Sequence, residues 1–351
     1  MNKMSKYFKP SVIALESYSS ATDEYDGQDG IFLDANENGF DFEYRRYPDP
    51  YQKDLKKVIG TLRKIDPRSI FIGNGSDEII DLLIRATCVK DKDRILSLNP
   101  SYGMYKVSSC INEIPMDLIN LNDDFSVNEE HLFEKLSDRH KLVFICSPNN
   151  PNGGIIDPAL IEKVLKVCSG LVVVDEAYID FSETTSWLEK LAEYKNLIIL
   201  QTFSKSLGAA GIRLGMAFMN AELITFLNKI KPPYNISIPN QDAAIARLKK
   251  IDKVQLAIQN IVIQRGKVKD ALEAMSIVDH IFPSSANFLL VKFSDARLVF
   301  ERLKSKKIIV RDRSQQVNCE GCLRITISTE NENSILLKAL KDIDQELTSE
   351  I

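Results

Sequence analysis

Leu197-Ile198-Ile199-Leu200-Gln201-Thr202-Phe203-Ser204-Lys205-Ser206-Leu207-Gly208-Ala209-Ala210-Gly211-Ile212-Arg213-Leu214-Gly215 carries an apolar run straight into a segment of small residues, hydroxyls and cations. The run at 197–200 reads as a buried strand. Lys205 stands between Ser204 and Ser206 just past it, and Arg213 follows eight residues later. Hydroxyls with a guanidinium make an anion site, and glycines let backbone approach a ligand closely. Two readings are open: a lysine that forms a Schiff base with a phosphorylated aldehyde cofactor, or an ordinary phosphate-binding loop.

The same grammar repeats upstream. Apolar runs at 94–98, 141–146 and 171–174 each end in polar or aromatic residues: Asn99-Pro100-Ser101-Tyr102, Ser147-Pro148-Asn149-Asn150, and Asp175-Glu176-Ala177-Tyr178. Helical spacing at 131–136 and 158–168 separates them. Near-continuous apolar strands alternating with helices predict an α/β fold with a largely parallel, buried sheet. Ligands of such sheets sit at the carboxyl ends of the strands. Tyr102, Asn150, Asp175 and Lys205 all fall there, each past a different strand.

Before these strands, residues 1–30 are polar and irregular and read as an arm, 31–38 as a short strand, and 44–50 as a proline turn. Leu55, Val58, Ile59 and Leu62 share one face of a helix over 52–62. A strand at 70–72 leads through Gly73-Asn74-Gly75-Ser76-Asp77-Glu78 to an apolar helix over 79–87. Ser76 suits an N-cap and the acids suit the first turn; the same N–H groups can instead cradle a phosphate. Past Arg213, Lys231-Pro232-Pro233-Tyr234-Asn235 reads as a stiff hinge and 241–273 as one long helix. Strands at 288–293, 308–310 and 323–327 with helices at 295–304 and 334–347 predict a second, α+β domain.

A chain of 351 residues supports two domains and a sizeable core, and 44% hydrophobic with 27% charged residues is ordinary for a globular protein. A net charge of −4 marks neither a nucleic-acid nor a membrane-surface binder. No window approaches the roughly eighteen apolar residues of a membrane span. Residues 1–10 lack the apolar core of a secretion signal, so a cytoplasmic location is expected. Cys110, Cys146 and Cys168 lie in or beside apolar runs and are expected as reduced core residues. The Cys319/Cys322 pair has metal spacing but no second pair, and His131, His140 and His280 are not at ligand spacing, so no metal site is expected.

Pyridoxal 5′-phosphate would give the strand-end residues distinct tasks. Its ring nitrogen must stay protonated, which a buried carboxylate ensures; Asp175 suits that, and being buried it calls for a cationic partner. Asn150 and Tyr178 can meet the 3′ oxygen, and Tyr102 can stack on the ring. Thr202, Ser204, Arg213 and the N–H groups of Ser76 and Asp77 suit the phosphate. Lys205 would carry the Schiff base and, once freed, reach the Cα proton. Its ordinary pKa of about 10.4 needs lowering, toward which desolvation and Arg213 both push. Singly, Asp175 reads as a helix cap, Tyr102 as a turn residue and Asn150 as a turn former; together, in one sheet, they favour the cofactor.

These motifs resemble the fold-type-I aminotransferases. Ser147 to Gly153 is similar to their Ser-Pro-Asn-Asn-Pro-x-Gly turn, Asp175 to Tyr178 to their Asp-Glu-Ala-Tyr box, and Ser204-Lys205 with Gly211-Ile212-Arg213 to their Schiff-base segment. Narrower matches are Leu33-Asp34-Ala35-Asn36-Glu37-Asn38, Tyr47-Pro48-Asp49-Pro50, Pro100-Ser101-Tyr102-Gly103-Met104-Tyr105, Val310-Arg311-Asp312-Arg313-Ser314 and Cys322-Leu323-Arg324-Ile325-Thr326; they resemble the histidinol-phosphate aminotransferase family within that group. Departures are Gly39 where Pro is usual, Asn152 where Thr is common, and Ala209-Ala210 where Leu-Ala is common.

The resemblance implies a large domain with a mostly parallel seven-stranded sheet flanked by helices, plus a smaller α+β domain. It places an N-terminal arm at 1–45, packing with the small domain and a partner subunit. The pyridoxal-phosphate domain spans 46–240, and a linking helix with the small domain spans 241–351. It implies transamination of L-histidinol phosphate with 2-oxoglutarate in histidine biosynthesis. Lys205, Asp175 and Tyr178 form the catalytic set, and Ser76, Asp77, Tyr102, Asn150, Thr202, Ser204 and Arg213 hold the cofactor. Tyr47 reaches in from the other subunit of a homodimer with shared sites. Arg324 grips the carboxylate of glutamate and Arg311 the substrate phosphate, with Asn36 and Tyr18 at the substrate end. A broader aromatic aminotransferase and a decarboxylase of a phosphorylated amino acid are the alternatives on the same scaffold.

Overall fold

The structure is a computed structural model that describes residues 3–16 and 30–349. Seven strands form the large sheet: β1 (Ile70–Gly73), β2 (Arg94–Asn99), β3 (Met116–Asn120), β4 (His140–Cys146), β5 (Leu171–Asp175), β6 (Leu197–Thr202) and β7 (Gly215–Met219). Their order is β1-β7-β6-β5-β4-β2-β3. The pairs β2–β3, β2–β4, β4–β5 and β5–β6 are parallel, while β7 lies antiparallel to both β6 and β1. Alternate residues bury on opposite faces: Val172 and Val174 join the core on one side, Leu171 and Val173 that on the other. A sheet covered on both faces explains why its strands are apolar throughout.

The antiparallel end of the sheet positions the site. β6 and β7 are joined by the Lys205 segment, and Thr202 pairs with Gly215, so the segment's two ends stand side by side. Gly215 also pairs with Gly73, so β1 ends at the same edge and delivers the helix Gly75–Thr87 there. A Cβ on Gly215 would lie 2.3 Å from the Ser76 nitrogen, so only glycine admits this approach.

A second sheet, all antiparallel, runs in the order β10-β11-β9-β8. Its strands are β8 (Val278–Ile281), β9 (Phe288–Phe293), β10 (Arg311–Asp312) and β11 (Cys322–Thr326). It packs on the helices Ala296–Ser305 and Glu330–Ser349 and on Val268 and Leu272 of the helix Ile251–Glu273.

Several expectations change. Residues 31–38 form no strand; Ile31 and Leu33 are 90% and 88% exposed, with no neighbouring strand to pair with. Met4, Tyr7, Phe8 and Val12 of the expected arm pack on the large sheet's helices, with Phe8 stacked on Phe226 at 4.3 Å, rather than on the small sheet. Their apolar spacing gives them a face to bury there. The first helix after β1 starts at Gly75, so Ser76 lies inside it and Asn74 is its cap residue, without a side-chain cap bond. The long helix is two, Ile238–Leu248 and Ile251–Glu273, broken at Lys249-Lys250. The strand expected at 308–310 falls at Arg311–Asp312. Cys110 is exposed on the outer face of its helix, whereas Cys146 and Cys168 are buried.

Candidate active site

The carboxyl ends of β4, β5 and β6 and the start of the helix Gly75–Thr87 surround a cavity of about 180 Å³. Lys205, Asp175, Tyr178, Asn150 and Tyr102 line it. So do Ser76, Asp77, Thr202, Ser204 and Arg213. Residues separated by up to 137 positions, from Ser76 to Arg213, thus meet in one place.

Asp175 closes β5 at the cavity floor and is 2% exposed. Its Oδ2 accepts a hydrogen bond from the Tyr105 hydroxyl at 2.5 Å, and its Oδ1 accepts from the Ala177 N–H at 3.0 Å. No ion pair reaches it among the described residues; the expected cationic partner is replaced within the chain by a neutral phenol. Burial pushes its pKa up, against the pull of these two bonds. Tyr105 in turn stacks on Phe144 at 4.6 Å and meets the edge of Tyr102 at 5.6 Å. Tyr105 escaped the sequence reading, although its position three residues after Tyr102 brings the two onto one face of a helical turn.

Lys205 faces this carboxylate across the cavity. Its side chain is open to solvent at the mouth, with its Nζ 5.6 Å from the centre of the Tyr178 ring. Desolvation by the surrounding protein lowers its pKa most, Arg324 adds to that, and Asp175 and Asp77 oppose it; Arg213 contributes less. The main charge acting to deprotonate Lys205 therefore comes from the small sheet, not from its own loop. Tyr178, edge-on to Phe288 at 5.1 Å, has its pKa raised by burial.

The other end of the cavity gathers helix-opening N–H groups, hydroxyls and a guanidinium, groups that can receive an anion. The first N–H groups of an α-helix have no partner within the helix, and those of Gly75, Ser76 and Asp77 open the helix here. Gly75 has φ +76°, and a Cβ on it would meet Arg213 Nη2 at 2.9 Å. Arg213 Nη2 lies 3.6 Å from Asp77 Oδ2, and the Tyr102 hydroxyl donates to Asp77 Oδ1 at 2.9 Å. Asp77 thus orients both groups through its side chain. Thr202 turns inward, accepting from the Ser204 N–H at 3.1 Å. Behind the loop, Ser206 donates to Asp180 at 2.5 Å, and Arg63 clamps Asp180 at 3.0 and 3.1 Å.

Arg324, in β11, crosses to the large sheet. Its Nη1 donates to Asn150 Oδ1, and its guanidinium sits 5.1 Å from the Phe288 ring centre. Its Nε is buried without a partner. Arg311 lies opposite it in the β10–β11 register and is exposed. Arg313, two residues on, belongs to the same group and was not singled out from the sequence. The structure does not bring every expected residue to this cavity. Tyr47 and Asn36 line a separate hollow with Glu37 and Arg46, Tyr47 stacking on Tyr234 at 4.3 Å. Tyr18 lies outside the described residues.

The family model for aminotransferases of classes I and II matches residues 27–340. A histidinol-phosphate aminotransferase of Christiangramia forsetii is 44% identical over 345 residues, covering 98% of this chain and 99% of that protein. The crystal structure of the histidinol-phosphate aminotransferase from Clostridium acetobutylicum superposes with a TM-score of 0.79 at 26% identity, covering 86% of this chain and 91% of that one. The same enzyme from Sinorhizobium meliloti, in complex with pyridoxal 5′-phosphate, shares the fold with a TM-score of 0.79 at 24% identity, over 89% of this chain and 90% of that one.

Proposed function

The chain belongs to the class I and II aminotransferases, enzymes that work with pyridoxal 5′-phosphate, and we propose that it transfers the amino group of L-histidinol phosphate to 2-oxoglutarate, giving imidazole acetol phosphate and L-glutamate. The cavity suits this cofactor in three respects. Asp175 is a buried carboxylate with no cationic partner in the chain, the environment a protonated ring nitrogen requires. Gly75, without a Cβ to crowd Arg213, and the opening N–H groups of its helix suit an anion beside Arg213. Lys205 is an amine held between them.

When bound, the cofactor supplies an electron sink for negative charge at the carbon that carries the amino group. Lys205 would hold its aldehyde, Asp175 its ring nitrogen, and Asn150 and Tyr178 its 3′ oxygen. Arg213, Ser204, Thr202 and the N–H groups at Ser76 and Asp77 would hold its phosphate, with Tyr102 against the ring. The lowered pKa of Lys205 favours its neutral amine, so that Nζ would take the proton from the substrate Cα and hold it for return within the site. Tyr105 steadies Asp175 in its ionised form.

Arg324 would grip the carboxylate of glutamate, and Arg311 would be its companion for the substrate phosphate, both anions arriving at one place in turn. The single observation that carries the reading is one cavity lined by Lys205, the buried Asp175 carboxylate, Tyr178, Asn150 and Arg213, with Arg324 of the small sheet bonded to Asn150. A homodimer with shared sites is proposed as well. Its support is the exposed apolar segment Ile31, Leu33, Phe40, Phe42, Tyr44 and Tyr47, which calls for a covering surface and carries Tyr47 and Asn36 outside their own chain's cavity. A cytoplasmic location is likewise proposed, and no helix among the described residues is long and apolar enough to cross a membrane.

The test is purified enzyme with L-histidinol phosphate and 2-oxoglutarate, scored by glutamate formation. A higher kcat/KM for phenylalanine would make it an aromatic aminotransferase. Carbon dioxide released from a phosphorylated amino acid without any keto acid would make it a decarboxylase.

A further inference from the structure

β10 and β11 pair antiparallel, with Arg311 opposite Arg324 and Asp312 opposite Leu323. The ladder continues one step further, because the Arg313 N–H donates to the Cys322 carbonyl at 2.9 Å. Residues directly opposite in such a pair share a face, and that face recurs every second residue. Leu323 packs into the small-sheet core, whereas Cys322 packs into the core of the large sheet. Arg311, Arg313 and Arg324 therefore stand on the face turned toward the large sheet and the Lys205 cavity.

Electrostatics within the cluster agree with that placement. Arg313 feels Arg324 and Arg311 as neighbouring positive charges and Tyr178, a cavity-lining residue, as a neighbouring ionisable group. Its Nε is buried without a hydrogen-bond partner, as is that of Arg324. None of the three arginines forms an ion pair with a carboxylate among the described residues. Asp312 points to the other face and accepts from the Ser314 N–H at 2.8 Å. Three guanidinium groups with no local counter-charge, two of them with a buried unfilled donor, form a site that is complete only when an anion enters it.

We propose that Arg313 is a specificity-determining residue that, with Arg324 and Arg311, receives the phosphate of the phosphorylated amine donor and favours it over a donor ending in a carboxylate. This deepens the histidinol phosphate reading and rests on it. A phosphate monoester carries about −1.5 to −2 charges and three acceptor oxygens at neutral pH, whereas the glutamate side chain offers one charge and two oxygens. Arg324, tied to Asn150, suffices for the carboxylate. A third guanidinium adds only where a third oxygen and more charge are present.

The experiment uses the holoenzyme of the wild type, Arg313→Gln and Arg313→Lys, with the two half-reactions followed separately by cofactor absorbance. Arg313→Gln should lower kcat/KM for L-histidinol phosphate about 10- to 100-fold, the range of a lost charged hydrogen bond in a partly buried site, and leave that for L-glutamate within about 3-fold. Arg313→Lys, which keeps the charge but not the fork, should recover part of the loss. Inorganic phosphate should inhibit the wild type more strongly than the Gln variant. Equal losses in both half-reactions, or none in either, would overturn the role of Arg313; so would a Lys variant no better than Gln whose inhibition by phosphate matches the wild type. A wild type that does not turn over histidinol phosphate at all would instead overturn the underlying function.

Discussion

Asp175→Asn should inactivate the enzyme and, at the same time, make the cofactor-free protein more stable at neutral pH. The Asp175 carboxylate is almost fully buried and its pKa is raised, chiefly by burial. A carboxylate whose folded pKa exceeds its unfolded value of about 3.9 binds its proton more tightly in the folded state, so stability falls as pH rises from that value through the raised one. Desolvating such a charge costs several kcal/mol, and the hydrogen bonds from Tyr105 and Ala177 return about 1.5–3 kcal/mol each. The net penalty is on the order of 1–3 kcal/mol. The amide keeps both partners, since its oxygen accepts from the Ala177 N–H and its NH2 group donates to the Tyr105 oxygen. Thermal unfolding of the cofactor-free proteins should therefore show the variant melting about 2–5 °C higher at pH 8, with the gap closing below about pH 4. The holoenzyme should reverse the order, because the variant loses the charge that the cofactor ring nitrogen meets. A cofactor-free variant less stable than the wild type at pH 8, or a gap independent of pH, would refute the claim that Asp175 is held ionised at a cost to the fold.

Lys205→Ala should retain cofactor through the remaining contacts yet lose about 10²- to 10⁴-fold or more in kcat, the usual worth of a positioned proton carrier, with partial rescue by added small amines. Tyr105→Phe removes a donor to Asp175, raising its pKa further; the acid limb of kcat/KM against pH should move to higher pH, while a merely structural role would leave the limb in place. Arg324→Gln removes the largest charge that depresses Lys205, so the limb that rises with Lys205 deprotonation should shift to higher pH, and kcat/KM should fall for both amine donors.

The strand-to-loop grammar was legible because parallel strands covered on both faces are apolar throughout and end abruptly at the cavity. That rule alone singled out Tyr102, Asn150, Asp175 and Lys205, which the fold brings to one cavity. What it does not reach is the other partner of each polar group. Tyr105 is a helix residue facing inward, and nothing local separates it from a core tyrosine until β5 places Asp175 beside its hydroxyl. Arg313 is hidden for another reason: its two-residue spacing from Arg311 has meaning only if the segment is extended, and β10 is too short to show a strand pattern. The strand expected at 31–38 fails for the complementary reason. Its composition suits a strand, yet pairing is a long-range property, and no strand of the described residues pairs with it.

The division of charge between the two sheets explains why the site needs both. β5 supplies Asp175 and the helix Gly75–Thr87 supplies Asp77, which favour a proton on Lys205; the small sheet supplies Arg324, which disfavours it. An anion at Arg324 would offset that second influence, while desolvation, the largest cause, and Arg213 go on lowering the proton affinity of Lys205. A donor's anion bound there would thus act on Lys205 in the direction of a stronger base, against the desolvation that its entry adds. A loop lysine flanked by serines has no such response by itself. It acquires one because the β6–β7 connection places it at the edge of the large sheet, facing a strand whose outward arginines have no carboxylate of their own.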